Sequence, residues 1–400
     1  MVESTISRAK TNVVLLSLCQ ALASTSVTTL VTISALVGYS LASQKAFATL
    51  PMTVMQLATM MATIPASLLM KRWGRQKGFM VGSGLAILGA GIGVQAILAG
   101  QFWLFCLASF WIGAFNSFAW YYRFAAADVA HGPWKAQAIS LVVSGGVIAA
   151  IAGPRIANWT KDWFQPDLFA GALIAIAVLQ CAILLVLQFV QIPPLQSTVA
   201  KGEERSLPTL AQQPLFSIAI LGSAIGYGMM VLVMTATPLA MDALDYPFEA
   251  TASVIQWHVL GMFAPSFITG FLIARFGVLT IILAGVAMNF LCCAINLSGS
   301  SITHFAIALL LLGVGWNFMF VGSTTLFTEA YAPVEKAKSQ AAHDFCMFAC
   351  VATCSFLSGQ LLYHFNWQVV NQVSLVPIAI ALLGFLWLWT QRKLTPKDSL

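Results

Sequence analysis

Residues 192–213 read IPPLQSTVAKGEERSLPTLAQQ. Their prolines, charges and polar side chains mark a linker. No other polar stretch is as long in this 400-residue chain, which is 59% hydrophobic and only 8% charged. A soluble chain carries roughly 25% charged residues. On both sides of the linker, apolar runs of about 20 residues or more follow one another, the length that crosses a bilayer as a helix. The short alternating segments of a transmembrane barrel are missing. The sequence therefore predicts an all-α membrane protein.

Six spans precede the linker, at 11–39, 46–70, 78–98, 102–130, 136–158 and 168–192. Six follow it, at 213–241, 247–274, 278–298, 301–330, 339–364 and 370–391. The reading is twelve transmembrane helices in two pseudo-symmetric six-helix bundles. Residues 1–192 form the N-terminal bundle, 193–212 the cytoplasmic linker and 213–400 the C-terminal bundle. The start, MVESTISRAKTNVVLL, lacks a small-residue cleavage site closing a short apolar core, so it is expected to lead into a retained span.

The basic residues sort by side. With the N-terminus inside, Arg8, Lys10, Lys71, Arg72, Arg75, Lys77, Lys135, Lys201, Arg205, Arg275, Lys336, Lys338, Arg392, Lys393 and Lys397 fall on that side. Lys45 and Lys161 fall outside, and Arg123 and Arg155 lie within spans. This excess follows the positive-inside rule and places both termini in the cytoplasm. It also accounts for the net charge of +6 without nucleic acid.

The halves repeat. KRWGR at 71–75 follows span 2 and ARFGV at 274–278 follows span 8, so Gly74 and Gly277 are 203 residues apart. Pro133 follows span 4 and Pro333 follows span 10. Two parallel six-span repeats imply a solute site between the halves, near mid-membrane.

These features resemble the major facilitator superfamily (MFS) over nearly the whole chain. The family's loop motif after span 2 is G-x-x-x-D-R-x-G-R. The segment Ser67–Lys77 keeps Arg72, Gly74 and Arg75, but carries Ser67 for the glycine and Lys71 for the aspartate. Gly270–Gly277 is a weaker second copy. Gly145-Gly146 and Gly153-Pro154 in span 5 are similar to the glycine-proline motif of the antiporter branch. The resemblance implies a secondary transporter working by alternating access, with H+ as the coupling ion. Its implied setting is a bacterial inner membrane, as a monomer among lipids. The antiporter-like motif favours export. Uptake of a vitamin-like or organic-anion nutrient is the alternative, and a non-transporting receptor on the same scaffold is a third reading.

The stretch WYYRFAAAD at 120–128 puts charge inside an apolar run. A charge at mid-bilayer costs at least ~2.5–3.5 kcal/mol, so such residues usually face a cavity or a partner. Asn116, Trp120 and Arg123 share one helix face, at spacings of four and three. In the resembling family span 4 lines the central cavity, which makes these three candidate solute contacts. The planar guanidinium suits an anionic or hydrogen-bond-rich group. Polar stripes add Gln20 and Ser24 in span 1 and Tyr227 in span 7; His258 lies within span 8, and Trp316 and Asn317 in span 10 stand near the level of Asn116 in the repeat. The aromatic neighbours of Arg123 suit an aromatic, amphipathic or anionic solute better than a simple sugar.

Other residues are gating candidates by the same resemblance. Arg75 is expected to pair with Asp128 at the cytoplasmic end of span 4. Lys71 is expected to meet Asp344 in span 11, a charge-reversed version of the family's contact, with Glu335 as a rival partner. Arg155, beside Gly153 and Pro154, is expected to latch onto Glu249 across the halves. His258, Glu329 and Asp344 are the proton-coupling candidates, since an imidazole titrates near physiological pH. Some of these polar residues must simply join helices.

No GxxxxGK[ST] loop and no HExxH or paired-cysteine zinc spacing occurs, so no catalytic, metal or cofactor site is expected. Cys346, Cys350 and Cys354 share a helix face and read as small packing residues.

Overall fold

A computed structural model describes residues 2–129, 138, 141–142, 144–192 and 205–394. Among these, ten helices are long and apolar enough to cross a membrane, and a bent pair makes an eleventh. Span 5 accounts for the twelfth position. Its described helix, Gly145–Thr160, has only 16 residues, and part of its predicted start lies outside the described residues.

The helices of spans 1, 2 and 3 are Val2–Leu41, Leu50–Trp73 and Arg75–Leu98, and that of span 6 is Ala170–Leu187. In the second half, span 7 is Pro214–Asp242, span 9 Val278–Ser298, span 10 Ile302–Phe327, span 11 Lys336–His364 and span 12 Trp367–Leu394. Spans 4 and 8 differ from the unbroken helices expected. Span 4 divides into Phe102–Ala119 and Tyr122–Val129, with the break at Trp120–Tyr121. Span 8 divides into Phe248–Phe263 and Ser266–Phe276, bent by 42°. The second break is at Pro265, whose ring removes a backbone donor and crowds the preceding turn.

Helix packing shows the repeat directly. Span 1 packs on spans 5 and 6, as span 7 packs on spans 11 and 12. Span 4 packs on spans 2 and 3, as span 10 packs on spans 8 and 9. Across the halves, span 2 meets span 11 and span 5 meets span 8. A pseudo-twofold axis exchanges those two contacts.

Glycine makes the close approaches possible. A Cβ on Gly113 of span 4 would collide with the Met55 carbonyl oxygen of span 2. A Cβ on Gly313 of span 10 would collide with the His258 carbonyl oxygen of span 8. These two glycines are 200 residues apart. Without a hydrophobic drive between helices in lipid, such backbone proximity is what tight packing rests on. Gly74 and Gly277 serve differently. They end spans 2 and 8 at φ 85° and 86°, where a side chain is strained.

The motif in span 5 also has a packing role. A Cβ on Gly145 would lie 2.8 Å from the Ala21 nitrogen, and one on Gly153 2.7 Å from Thr28 Cβ, both in span 1. Thr29 Oγ1 donates to the Gly153 carbonyl oxygen at 3.2 Å. Gly146 faces the other way, onto the Phe263 ring of span 8. Outer helices carry exposed apolar side chains, including Val178 and Leu185 in span 6 and Val376 and Leu383 in span 12. These faces suit lipid.

The end of the linker is tied to the second half. Arg205 bonds Glu335 through its backbone N–H at 2.9 Å and through its side chain at 2.7 Å. Glu335 thus belongs to Arg205 in this structure; the Lys71 side chain, for which it was the rival partner, lies outside the described residues. The Glu335 side chain is 1% exposed. The Arg205 guanidinium and the Ala332 N–H hold its carboxyl down to about 2. The stabilisation from this depressed carboxylate is present above its unfolded value of about 4.3 and is lost as pH falls through about 2. In Glu335→Gln, the melting midpoint is expected to depend less steeply on pH across that window. An unchanged profile would show that the pair does not form in solution.

Candidate functional site

A cavity of about 200 Å³ lies between the two halves. Spans 1, 2 and 4 supply one side of its wall, and spans 7, 8 and 10 the other. The two broken spans both reach it: Trp120 lies at the break in span 4, while Phe263 and Ser266 flank the break in span 8. Discontinuous helices are a recurrent way to expose polar groups at membrane depth.

The C-terminal side is aromatic. Trp316 and Phe320 are stacked, with centroids 5.1 Å apart and an interplanar angle of 7°. Tyr227 meets Trp316 edge-on at 5.4 Å, and Phe263 lies at 6.1 Å. The N-terminal side is richer in amides and hydroxyls. Gln20 Nε2 donates to Ser24 Oγ at 2.8 Å, and Thr28 and Gln56 also line the wall. Met52, Met55, Met230, Met234 and Met262 complete the lining, and their flexible thioethers adapt to flat ligands.

Arg123 lies at one end of the cavity. Its guanidinium is 5.1 Å from the Trp120 ring and 4.8 Å from the Phe124 ring. It also lines a second pocket of about 60 Å³ together with Trp120, Phe320 and Asp344. That pocket lies toward the linker face. Asp344 Oδ1 accepts from His343 Nδ1 at 2.9 Å, and His343 Nε2 lies 3.0 Å from Ser223 Oγ of span 7.

The structure brings together Gln20, Ser24, Asn116, Trp120, Arg123, Tyr227, Trp316 and Asn317 around one cavity. Asn116 and Asn317 also repeat a structural job. Asn116 Nδ2 reaches Thr59 Oγ1 of span 2 at 3.4 Å, and Asn317 Nδ2 donates to the Met262 carbonyl oxygen of span 8 at 2.7 Å. His258 is a correction. It is fully buried, its Nδ1 is 2.8 Å from the Leu309 carbonyl oxygen, and it does not line the cavity. Its ring faces span 10 instead, as a packing residue. Within the same regular helix, Phe248–Phe263, it is Val259, Met262 and Phe263 that line the cavity, which leaves His258 against span 10.

The gating residues divide. Arg75 Nε and Asp128 Oδ2 are 2.5 Å apart. Arg72 is exposed, and the Lys71 side chain lies outside the described residues. The Arg155–Glu249 latch does not form. Glu249 pairs with Lys161, and Arg155 is exposed. Lys161 sits at the end of the same helix, where its long stem reaches span 8 while Arg155 points elsewhere. Glu329 pairs with Arg392 at 2.6 Å, so it is a surface ion pair rather than an open proton site.

The face opposite the linker is tied shut. Thr53 Oγ1 of span 2 donates to Ser355 Oγ of span 11 at 3.2 Å. Gln360 Nε2 donates to the Ala46 carbonyl oxygen at 2.7 Å. Phe169 and Phe248 meet edge-on at 4.9 Å beside the Lys161–Glu249 pair.

Two repeated bundles around a central cavity define a membrane transporter of one class. The sequence profile of the Major Facilitator Superfamily matches residues 16–277 and 216–399. The chain belongs to that family. It is 38% identical over 380 residues to the riboflavin transporter RfnT of Brucella anthropi, covering 94% of this chain and 95% of that protein. It is 27% identical to the uncharacterized MFS-type transporter YdeG of Bacillus subtilis, covering 88% and 86%. Among solved structures, the nucleoside transporter NupG superposes with a TM-score of 0.71 at 13% identity, over 94% of this chain and 99% of that one. At that identity the likeness concerns the fold.

Phe263, Ser266, Phe320 and the five methionines were not among the expected cavity residues. Phe320 lies one helical turn after Trp316, which was a usable signal. Methionines in an apolar span look the same whether they face lipid or a cavity.

Proposed function

We propose that this chain moves a flavin-like solute, a flat heteroaromatic ring bearing a polyhydroxyl chain, by alternating access. The halves, 1–192 and 213–400, would rock about the cavity with 193–212 as the connection. One observation carries the reading: an aromatic wall faces an amide-and-hydroxyl wall within a single inter-half cavity. The riboflavin transporter among its relatives supports it. That relative also favours the vitamin-uptake alternative, while export rests on the span 5 glycines alone, which have a packing role. With the basic residues inside, the closed face is the outer one and the state is inward-facing. Asp344, beside Arg123 and linked to His343, is the proton-coupling candidate that best fits, ahead of His258 and Glu329.

Riboflavin added to the purified protein is expected to raise its melting midpoint, as any ligand selective for the folded state does. Arg123→Ala is expected to weaken that binding by about 30-fold or more, the loss of roughly 2 kcal/mol from a buried charged donor. No shift in the wild-type protein would sink the flavin reading. An equal shift in both proteins would remove Arg123 from the site.

A further inference from the structure

Three hydrogen-bond donors at the cavity are buried without an acceptor: Trp120 Nε1, Arg123 Nε and Trp316 Nε1. All three residues line the same space. They come from span 4 in one half and span 10 in the other. Each group can donate and cannot accept. A buried donor without an acceptor carries a penalty that a ligand can relieve by supplying one. The amides and hydroxyls on spans 1 and 2 differ, because they can play either role. Gln20 and Ser24 share one bond and keep other donor and acceptor positions for a ligand.

The residues that carry these donors border the space where a flat ring would lie. Trp316 is stacked on Phe320 and flanked by Tyr227 and Phe263. Trp120 and Phe124 bracket the Arg123 guanidinium. A ligand ring placed against this cluster turns its edge toward the orphan N–H groups.

We infer that Trp120, Arg123 and Trp316 read the ring edge of the solute and require that edge to be rich in acceptors. The inference rests on the flavin reading above. An oxidised isoalloxazine fits. It carries two carbonyl oxygens and two imine nitrogens along one side, against a single N–H. The polyhydroxyl chain then lies along spans 1 and 2, among groups that match hydroxyls in either sense. An edge bearing amino groups, as on a pterin or an adenine, would set N–H against N–H. Such rings are rejected even though they stack equally well, because unpaired buried donors discriminate more sharply than apolar contact does.

Equilibrium dialysis with riboflavin and with lumiflavin tests this. Lumiflavin keeps the isoalloxazine ring and replaces the polyhydroxyl chain with a methyl group. Trp120→Phe and Trp316→Phe keep a ring and remove the N–H, while Arg123→Lys keeps the charge and removes the planar fork. Each variant is expected to bind riboflavin about tenfold more weakly. The same factor is expected for lumiflavin, since the lost contact is to the ring. A penalty that vanishes with lumiflavin would assign the donors to the chain and overturn the inference. So would wild-type binding of riboflavin without lumiflavin, or variants that bind both flavins normally. Wild-type protein that binds neither flavin would overturn the flavin reading and the inference together. If one variant does not fold, the other two decide the matter.

Discussion

A protein carrying Thr53→Cys and Ser355→Cys is expected to lose transport completely on oxidation and to recover it with a reductant. The two hydroxyl oxygens are 3.2 Å apart, so the substituted sulfurs would start within reach of a disulfide. The bond would hold spans 2 and 11 together on the face opposite the linker. Alternating access requires that face to open once per cycle. Cys19, Cys106, Cys292 and Cys293 are buried, but Cys181 and Cys346 are exposed and Cys350 and Cys354 half-buried, so the pair is introduced into a protein in which those four are serine. The assay is solute movement into vesicles, with the oxidised, reduced and single-cysteine proteins side by side. Full transport by the oxidised double variant, with the cross-link verified by mass, would show that this face stays closed throughout.

The second large effect concerns folding. Gly113→Val is expected to leave almost no folded protein. Its side chain would overlap the Met55 carbonyl oxygen, a backbone atom that cannot turn aside. Overpacking where side chains can shift costs about 1–3 kcal/mol, and a backbone clash exceeds that. Gly91→Val is the control, because a Cβ there meets nothing within 4 Å. The yield of monodisperse protein in detergent separates the two. Comparable yields would mean that spans 2 and 4 do not approach as closely as described.

Much of this was legible in the sequence because bilayer insertion leaves few choices. Apolar run length set the helices. The spacing of Gly74 and Gly277 announced the repeat, since both positions need positive φ. The Asn116, Trp120 and Arg123 face followed from helical periodicity, and these residues do share one wall. Individual side chains were less legible. His258 lies before the Pro265 bend and faces span 10. Arg155 was matched with Glu249 by level in the membrane, yet Lys161 takes that partner. Reach along a helix end is decided by side-chain length and direction, which spacing does not encode. The break at Trp120–Tyr121 carries no proline, so nothing in the sequence marked it.

The polar ties within each half and between the halves differ in kind. Gln180 and Ser26, at 3.0 Å, join spans 6 and 1; Asn296 and Asn371, at 2.8 Å, join spans 9 and 12. Those bonds are internal to one bundle and survive any rocking motion. Thr53–Ser355, Gln360–Ala46 and Lys161–Glu249 connect different bundles and must be exchanged for others in every cycle. Substitutions at the first group should therefore register as heat sensitivity. Substitutions at the second group should leave the melting midpoint nearly unchanged while redistributing the resting population toward the opposite orientation. A survey of natural variants scored by thermal tolerance alone would pass these as silent, although they set how often the carrier turns over.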